Sequence, residues 1–172
     1  MSKVLTAYYS RKGENYFGGS IRSISKGNTE RVAEFIQKAV GGDLFEIETV
    51  KEYAKDYHEC TNEAMAEKKA DARPQLKRLP ESIDEYDVIF LGYPNWWSTC
   101  PMAVFTFLES FDFSGKTIIP FCTNEGSGMG SSEGDIRSVC PKAEVKKGLS
   151  IRGSEAASSG NKVQNWAKNQ LK

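Results

Sequence analysis

The chain is poor in the side chains from which most active sites are assembled. It has one histidine, His58, set in a polar stretch between Tyr57 and Glu59. No histidine-based triad and no multi-histidine metal site can be built from it, and it reads as a surface residue. Four cysteines, Cys60, Cys100, Cys122 and Cys140, are spread without any C-x-x-C pair, which excludes the usual zinc and dithiol spacings and leaves packed free thiols. No apolar run approaches the roughly 20 residues needed to cross a bilayer. Met-Ser-Lys runs directly into a strand with no signal-peptide pattern, so the expectation is a cytoplasmic protein with no membrane partner. The 23 basic and 23 acidic residues balance to zero, giving no global field for nucleic acid, and no nucleic-acid partner is expected. A hydrophobic share of 39% with 27% charged, over 172 residues, fits one domain, 1–172, large enough to bury a core.

What the chain does have is concentrated near its start. Lys3 to Ser10 is a buried-type strand ending in a hydroxyl residue. Lys26-Gly27-Asn28-Thr29 then opens a helix with Val32, Phe35, Ile36, Ala39 and Val40 on one face and Gly41-Gly42 as its stop. The first turn of a helix has amides with no intrahelical acceptor, at the electropositive end of the peptide dipoles, so a phosphate can be held there without lysine. Taken alone, Gly-Asn-Thr is also an ordinary N-cap, the commoner case. Between the strand and the helix, the polar, glycine-bearing stretch from Arg11 to Lys26 reads as a long loop of the kind that tends to be functional, with Tyr16 and Phe17 either near a ligand or packing the loop onto the domain.

Asp43 to Thr49 suits a strand with one side partly wet, at a sheet edge. The charged stretch 51–80 is weakly patterned, with a surface helix expected from Asn62 to Ala72 and ended by Pro74. Tyr86 to Gly92 is nearly continuous in apolar residues, as in a strand covered on both faces, and should be central. Tyr93 to Thr99 breaks off as a loop, and Pro101 opens a helix through Met102, Phe105 and Leu108. Lys116 to Thr123 is a further buried strand, in which Pro120 conflicts with an interior position because it lacks a ladder donor. A short helix near Glu133 to Val139 leads to a strand from Glu144 to Ile151 with Lys146 and Lys147 guarding an edge. The last helix carries Val163, Trp166, Ala167 and Leu171 on one face, capped from Ser158 or Ser159.

Five strands alternating with helices specify an open α/β sheet with right-handed parallel crossovers. Ligands in such sheets collect outside the carboxyl ends of the strands, where strand order reverses. The three unusual loops, after Tyr9, after Gly92 and after Thr123, all leave those ends.

Ser10 with Gly27-Asn28-Thr29, Tyr93-Pro94-Asn95-Trp96-Trp97 after the central strand, and Thr123-Asn124-Glu125-Gly126-Ser127-Gly128 after the next together resemble the flavodoxin-like proteins that bind flavin mononucleotide (FMN). The particular likeness is to a bacterial branch in which the phosphate loop is split as Ser10-Arg11-Lys12-Gly13-Glu14-Asn15-Tyr16 and, farther on, Gly27-Asn28-Thr29. The resemblance covers essentially the whole chain. It implies a doubly wound five-stranded parallel sheet of order 2-1-3-4-5, with the flavin at the switch point. It further implies that Ser10, Asn28 and Thr29, with backbone donors around Arg11 and Gly27, hold the 5′-phosphate. Pro94, Asn95, Trp96 and Trp97 would wall one side of the isoalloxazine pocket, and Thr123, Asn124, Glu125, Gly126, Ser127 and Gly128 would line the other edge. Indoles offer flat, polarisable area to a flat heterocycle, and glycines let backbone approach it; paired tryptophans also serve as core or interface.

Two departures stand out. Flavodoxin electron carriers are usually strongly acidic, whereas this chain is neutral. Where many relatives look like Thr-His-Gly-Gly near the ring, this sequence has Thr123-Asn124-Glu125-Gly126, and an ionised Glu125 close to the ring would disfavour its negatively charged reduced form. The function implied first is that of an electron carrier working between a reductase and an acceptor protein, monomeric or weakly dimeric, with no catalytic residue of its own. The alternative is an FMN-dependent NAD(P)H:quinone-type oxidoreductase. A phospho-receiver domain is disfavoured because Tyr8-Tyr9-Ser10 and Leu91-Gly92-Tyr93 stand where its acidic residues would be, and a low-molecular-weight phosphatase lacks its cysteine between Ser10 and Thr29.

Overall fold

The computed structural model describes residues 3–172. Its centre is a parallel sheet built from β1 (Val4–Tyr8), β4 (Asp43–Glu46), β5 (Val88–Pro94) and β6 (Thr117–Asn124), closed at one edge by two short strands, β7 (Glu144–Val145) and β8 (Leu149–Arg152), which both pair with β6. The order is β4-β1-β5-β6-β7/β8, so counting the broken edge as one strand reproduces 2-1-3-4-5. The flavodoxin-like α/β architecture expected from the sequence is borne out.

Alternation along the strands sorts the core into two layers. Leu5, Ala7 and Tyr9 of the first strand and its extension face the same side as Ile89, Leu91 and Tyr93, packing on α3 (Met102–Glu109) and α4 (Ser132–Val139). Val4, Tyr8, Val88 and Phe90 face the other side, against α1 (Asn28–Val40) and α5 (Gly160–Gln170). In α1 the fully buried residues are Val32, Ala33 and Ile36, and burying Val32 and Ile36 contributes roughly 1.5–3 kcal/mol each. The helix ends where the sequence indicates: Gly42 has φ +81°, and a Cβ there would lie 2.2 Å from the carbonyl oxygen of Val4.

Pro120 is accommodated by a gap in the edge. Lys146 N donates to Ile118 O, so by alternation Pro120 also turns its backbone toward the edge strand, where it has no N–H to offer. The strand expected over 144–151 is interrupted at that point, running as Glu144–Val145 and again as Leu149–Arg152.

Three other expectations are corrected. The stretch 11–26 is not a loop: β2 (Gly13–Phe17) and β3 (Ser20–Ile24) form an antiparallel hairpin separate from the main sheet, turned by Gly18 at φ +62° and Gly19 at φ +97°. The helix placed at 62–72 is α2, Tyr57–Lys69, starting earlier because Asp56 caps it by accepting from Glu59 N at 2.9 Å. Ser159 sits at the start of α5 but its hydroxyl donates to Ala156 O rather than capping, and Leu171 lies beyond that helix, exposed. No helix among the described residues is long and apolar enough to cross a membrane.

Candidate functional site

The three loops leaving the carboxyl ends of β1, β5 and β6 meet at one cavity of about 520 Å³. From the first loop and the start of α1 come Arg11 and Asn28, from the second Pro94, Asn95, Trp96 and Trp97, and from the third Thr123, Asn124, Glu125 and Ser127.

At the α1 end, the helix's own bonding begins with Arg31 N donating to Gly27 O at 3.2 Å. The preceding first-turn amides therefore face outward, and Ser10 Oγ accepts from that of Glu30 at 3.1 Å. Gly27 is enforced by proximity, not by its ordinary φ of −63°: a Cβ would stand 2.0 Å from Ser10 Oγ and 2.9 Å from Arg11 O. Gly153 presses on the same corner, since a Cβ there would lie 2.5 Å from Asn28 Nδ2.

The second loop is a tight turn closed by Trp96 N to Thr99 O at 2.9 Å and Thr99 N to Trp96 O at 3.3 Å. Trp97 and Ser98 take φ of +55° and +73°, strain that persists because the turn is held from several sides. Asn95 Oδ1 accepts from Ser98 N at 2.8 Å, Trp97 Nε1 donates to Thr61 O at 2.9 Å, and Lys68 Nζ donates to the Trp97 carbonyl. Asn95 also ties this loop to the third, its amide donating to Thr123 O at 2.9 Å and its Nδ2 to Gly128 O at 2.8 Å. Within the third loop Asn124 Oδ1 accepts from the amides of Gly126 and Gly128 at 2.9 and 3.0 Å.

Five of the fifteen residues named from the sequence do not line the cavity. Ser10 and Gly27 shape the helix start, Thr29 turns its hydroxyl to Thr123, and Gly126 and Gly128 supply amides to Asn124. Arg11 contributes more than backbone: its guanidinium donates to Glu14 O, Ala54 O and Lys55 O at 2.9, 3.0 and 3.0 Å.

The cavity also has a wall that was not foreseen as such. Tyr57, Cys60, Thr61 and Ala64 of α2 line it, with Asn15 and Tyr16 of the hairpin. The α2 set falls at i, i+3, i+4 and i+7, one face of a helix, which was the available signal. The thiol and phenol of the α2 wall stay neutral. Burial pushes the Cys60 thiol up, against the pull of Arg11, and raises the Tyr57 phenol as well. Burial likewise holds Cys122, behind the third loop, at about 12. Arg11 and Glu125 are the ionic groups on the lining. The arrangement offers a semi-enclosed slot in which Tyr16, Tyr57, Trp96 and Trp97 supply the aromatic area, with the start of α1 and amide-bearing loops around it.

The sequence model of the flavodoxin family matches residues 16–170. The chain belongs to the flavodoxin family. A flavoprotein of Bacteroides uniformis is 32% identical with a TM-score of 0.77, covering 97% of this chain and 98% of the other. A flavoprotein from Lactobacillus acidophilus, solved in complex with FMN, shares the fold at a TM-score of 0.67 and 17% identity, covering 94% and 98%. Flavodoxin 1 of Escherichia coli is 27% identical over 99 residues, a stretch that spans 55% of this chain and 42% of that curated relative. The hairpin and the α2 wall are the features of the site that its three loop motifs do not announce.

Proposed function

We propose that this flavodoxin binds FMN in the cavity and carries electrons between partner proteins, a reductase and an acceptor. The observation that carries this reading is the convergence of three strand-end loops on one slot that Asn28, at the start of α1, also lines. The donor set fits the group. The outward-facing amides of α1, with Ser10, Asn28 and Thr29 and the backbone around Arg11 and Gly27, suit a phosphate dianion. Pro94, Asn95, Trp96 and Trp97 suit one side of a flat ring, and Thr123, Asn124, Glu125, Gly126, Ser127 and Gly128 its other edge. Gly27, where a Cβ would collide with Ser10 Oγ and Arg11 O, lets the first loop pack directly against the start of α1.

Bound FMN supplies the redox chemistry; the protein binds, orients and shields it. The cavity lining contains no histidine, and its two ionic groups, Arg11 and Glu125, are both engaged in hydrogen bonds within the protein. That favours a carrier over a self-sufficient enzyme. With 23 basic and 23 acidic residues, net charge adds little to the cost of reducing the flavin.

The test is direct. Purified protein should be yellow and release FMN, and midpoint potentials should show two separated one-electron steps. Mixing the holo-protein with NADPH and a quinone should give no turnover unless a reductase is added. Turnover without one replaces the carrier by the NAD(P)H:quinone-type oxidoreductase, and failure of apo-protein to take up any flavin removes both.

A further inference from the structure

We propose that the Gly13–Ile24 hairpin is a strap across the cavity, that Glu125 fastens its tip, and that ligand passes only when the Gly18–Glu125 contact opens. The flavin reading enters only in naming the ligand.

The hairpin has no pairing with the main sheet, so its position is set by contacts at its two ends and, between them, by Tyr16 against Tyr57 of α2, ring centroids 6.5 Å apart. At the root it is held firmly. Arg11 bonds Glu14 O within the ribbon and reaches Ala54 O and Lys55 O outside it, and Glu14 Oε1 accepts from Tyr57 N at 3.1 Å. At the tip the fastening rests on one side chain. Gly18 N donates to Glu125 Oε1 at 3.0 Å across 107 positions of sequence. The same carboxylate is held in place from behind, accepting from Ser154 N at 3.2 Å and Ser154 Oγ at 3.1 Å, with Arg152 Nη1 at 3.9 Å. The Gly18 amide is free to bond there because it sits in a two-residue turn and the ladder does not need it.

Between root and tip, Asn15 and Tyr16 line the cavity, and Glu125 and Gly153 line the wall to which the tip is tied. Many bonds at the root and one carboxylate at the tip make a hinge and a catch. The Glu125 side chain is only 14% exposed and is held from behind by Ser154, whereas the Gly18 amide lies in an exposed turn, so the Gly18 bond is the one that opens. Glu125 is thus a positioning residue, acting on the ligand through the hairpin.

The geometry supplies its own lock. A Cβ on Gly18 would lie 3.8 Å from Ser154 Cβ, at the mean separation for a disulfide. The Gly18→Cys/Ser154→Cys variant, oxidised with diamide, should take up FMN as apo-protein and release it as holo-protein about tenfold or more slowly than after treatment with dithiothreitol. Alkylation of Cys60 by iodoacetamide, followed by peptide mass mapping in the absence of flavin, should show the same dependence, because Cys60 lines the cavity.

Glu125→Ala should do the opposite, speeding FMN exchange and Cys60 alkylation by about tenfold. Glu125→Gln, which keeps an oxygen acceptor for Gly18 N, should restore both rates toward wild type. Equal rates in the oxidised and reduced double variant overturn the strap. If the positive φ at Gly18 prevents that variant from folding, equal rates in wild type and Glu125→Ala overturn it instead. Gated alkylation in a protein that takes up no FMN leaves the strap standing and removes the flavin reading.

Discussion

Thr29 and Thr123 meet hydroxyl to hydroxyl, Oγ1 to Oγ1 at 2.8 Å, with both residues buried. The contact joins the first turn of α1 to the carboxyl end of β6, so two of the three loop systems around the cavity are linked by a single bond. Replacing either residue by valine keeps the shape and leaves the other hydroxyl buried without a partner, which should cost about 1–2 kcal/mol. The Thr29→Val/Thr123→Val double variant should lose less than the sum of the two singles, a coupling of about 1 kcal/mol. Urea unfolding of the apo-proteins measures the cycle; strict additivity would show that the bond does not form.

Gly27 is the second test of the same corner. Because its φ is −63°, alanine would suffer no backbone penalty there, and the whole effect of Gly27→Ala comes from the 2.0 Å approach to Ser10 Oγ and the 2.9 Å approach to Arg11 O. Under the phosphate assignment, the variant should lose affinity for FMN by about tenfold or more, as expected when one charge-assisted anchor is displaced, while its affinity for riboflavin, which has no phosphate, changes much less. Equal losses for both ligands in fluorescence titrations would remove the phosphate from this end.

The strands at the heart of the sheet were legible because burial on both faces leaves an unbroken apolar run, as in Val88-Ile89-Phe90-Leu91. The hairpin was not, although Gly18-Gly19 is a turn signal in its own right. Its two strands bury no face of their own, with Ser20 to Ser23 exposed throughout, so no alternation betrays them. The cavity face of α2 hid for a related reason. Tyr57, Cys60, Thr61 and Ala64 look into a slot rather than a core, so they need not be strongly apolar. The break at 146–148 has its cause in Pro120, on a different strand, and no local reading of Glu144 to Ile151 contains it.

Ser98 carries strain that glycine would relieve. A left-handed backbone, here φ +73°, costs a non-glycine residue roughly 1–2 kcal/mol, while glycine loses about 0.5–1 kcal/mol more in chain entropy on folding. The three bonds made by Ser98 to its surroundings in this turn all use its backbone, its N–H donating to Asn95 Oδ1 and its carbonyl accepting from Ser131 N and Ser131 Oγ, and survive the change. Ser98→Gly should therefore raise stability by about 0.5 kcal/mol. A loss of that size in thermal unfolding would mean that the side chain, not the turn, is what matters at this position.

Glu46, at the end of β4, has its carboxyl pushed up, first by burial and then by the nearby Glu48 and Glu30, with Arg78 and Lys12 pulling the other way. A carboxyl raised on folding means that the native state binds the proton more tightly than the unfolded chain. Its contribution is fully present below the ordinary carboxylate range and is lost as pH rises through the raised folded value. At neutral pH the ionised side chain is thus a net burden, which Glu46→Gln removes without changing shape. The variant should be the more stable protein at pH 7 and match wild type at pH values below the ordinary carboxylate range. Urea midpoints at the two pH values measure this, and a variant less stable than wild type at pH 7 would show that Arg78 and Lys12 outweigh the burial and the neighbouring carboxylates.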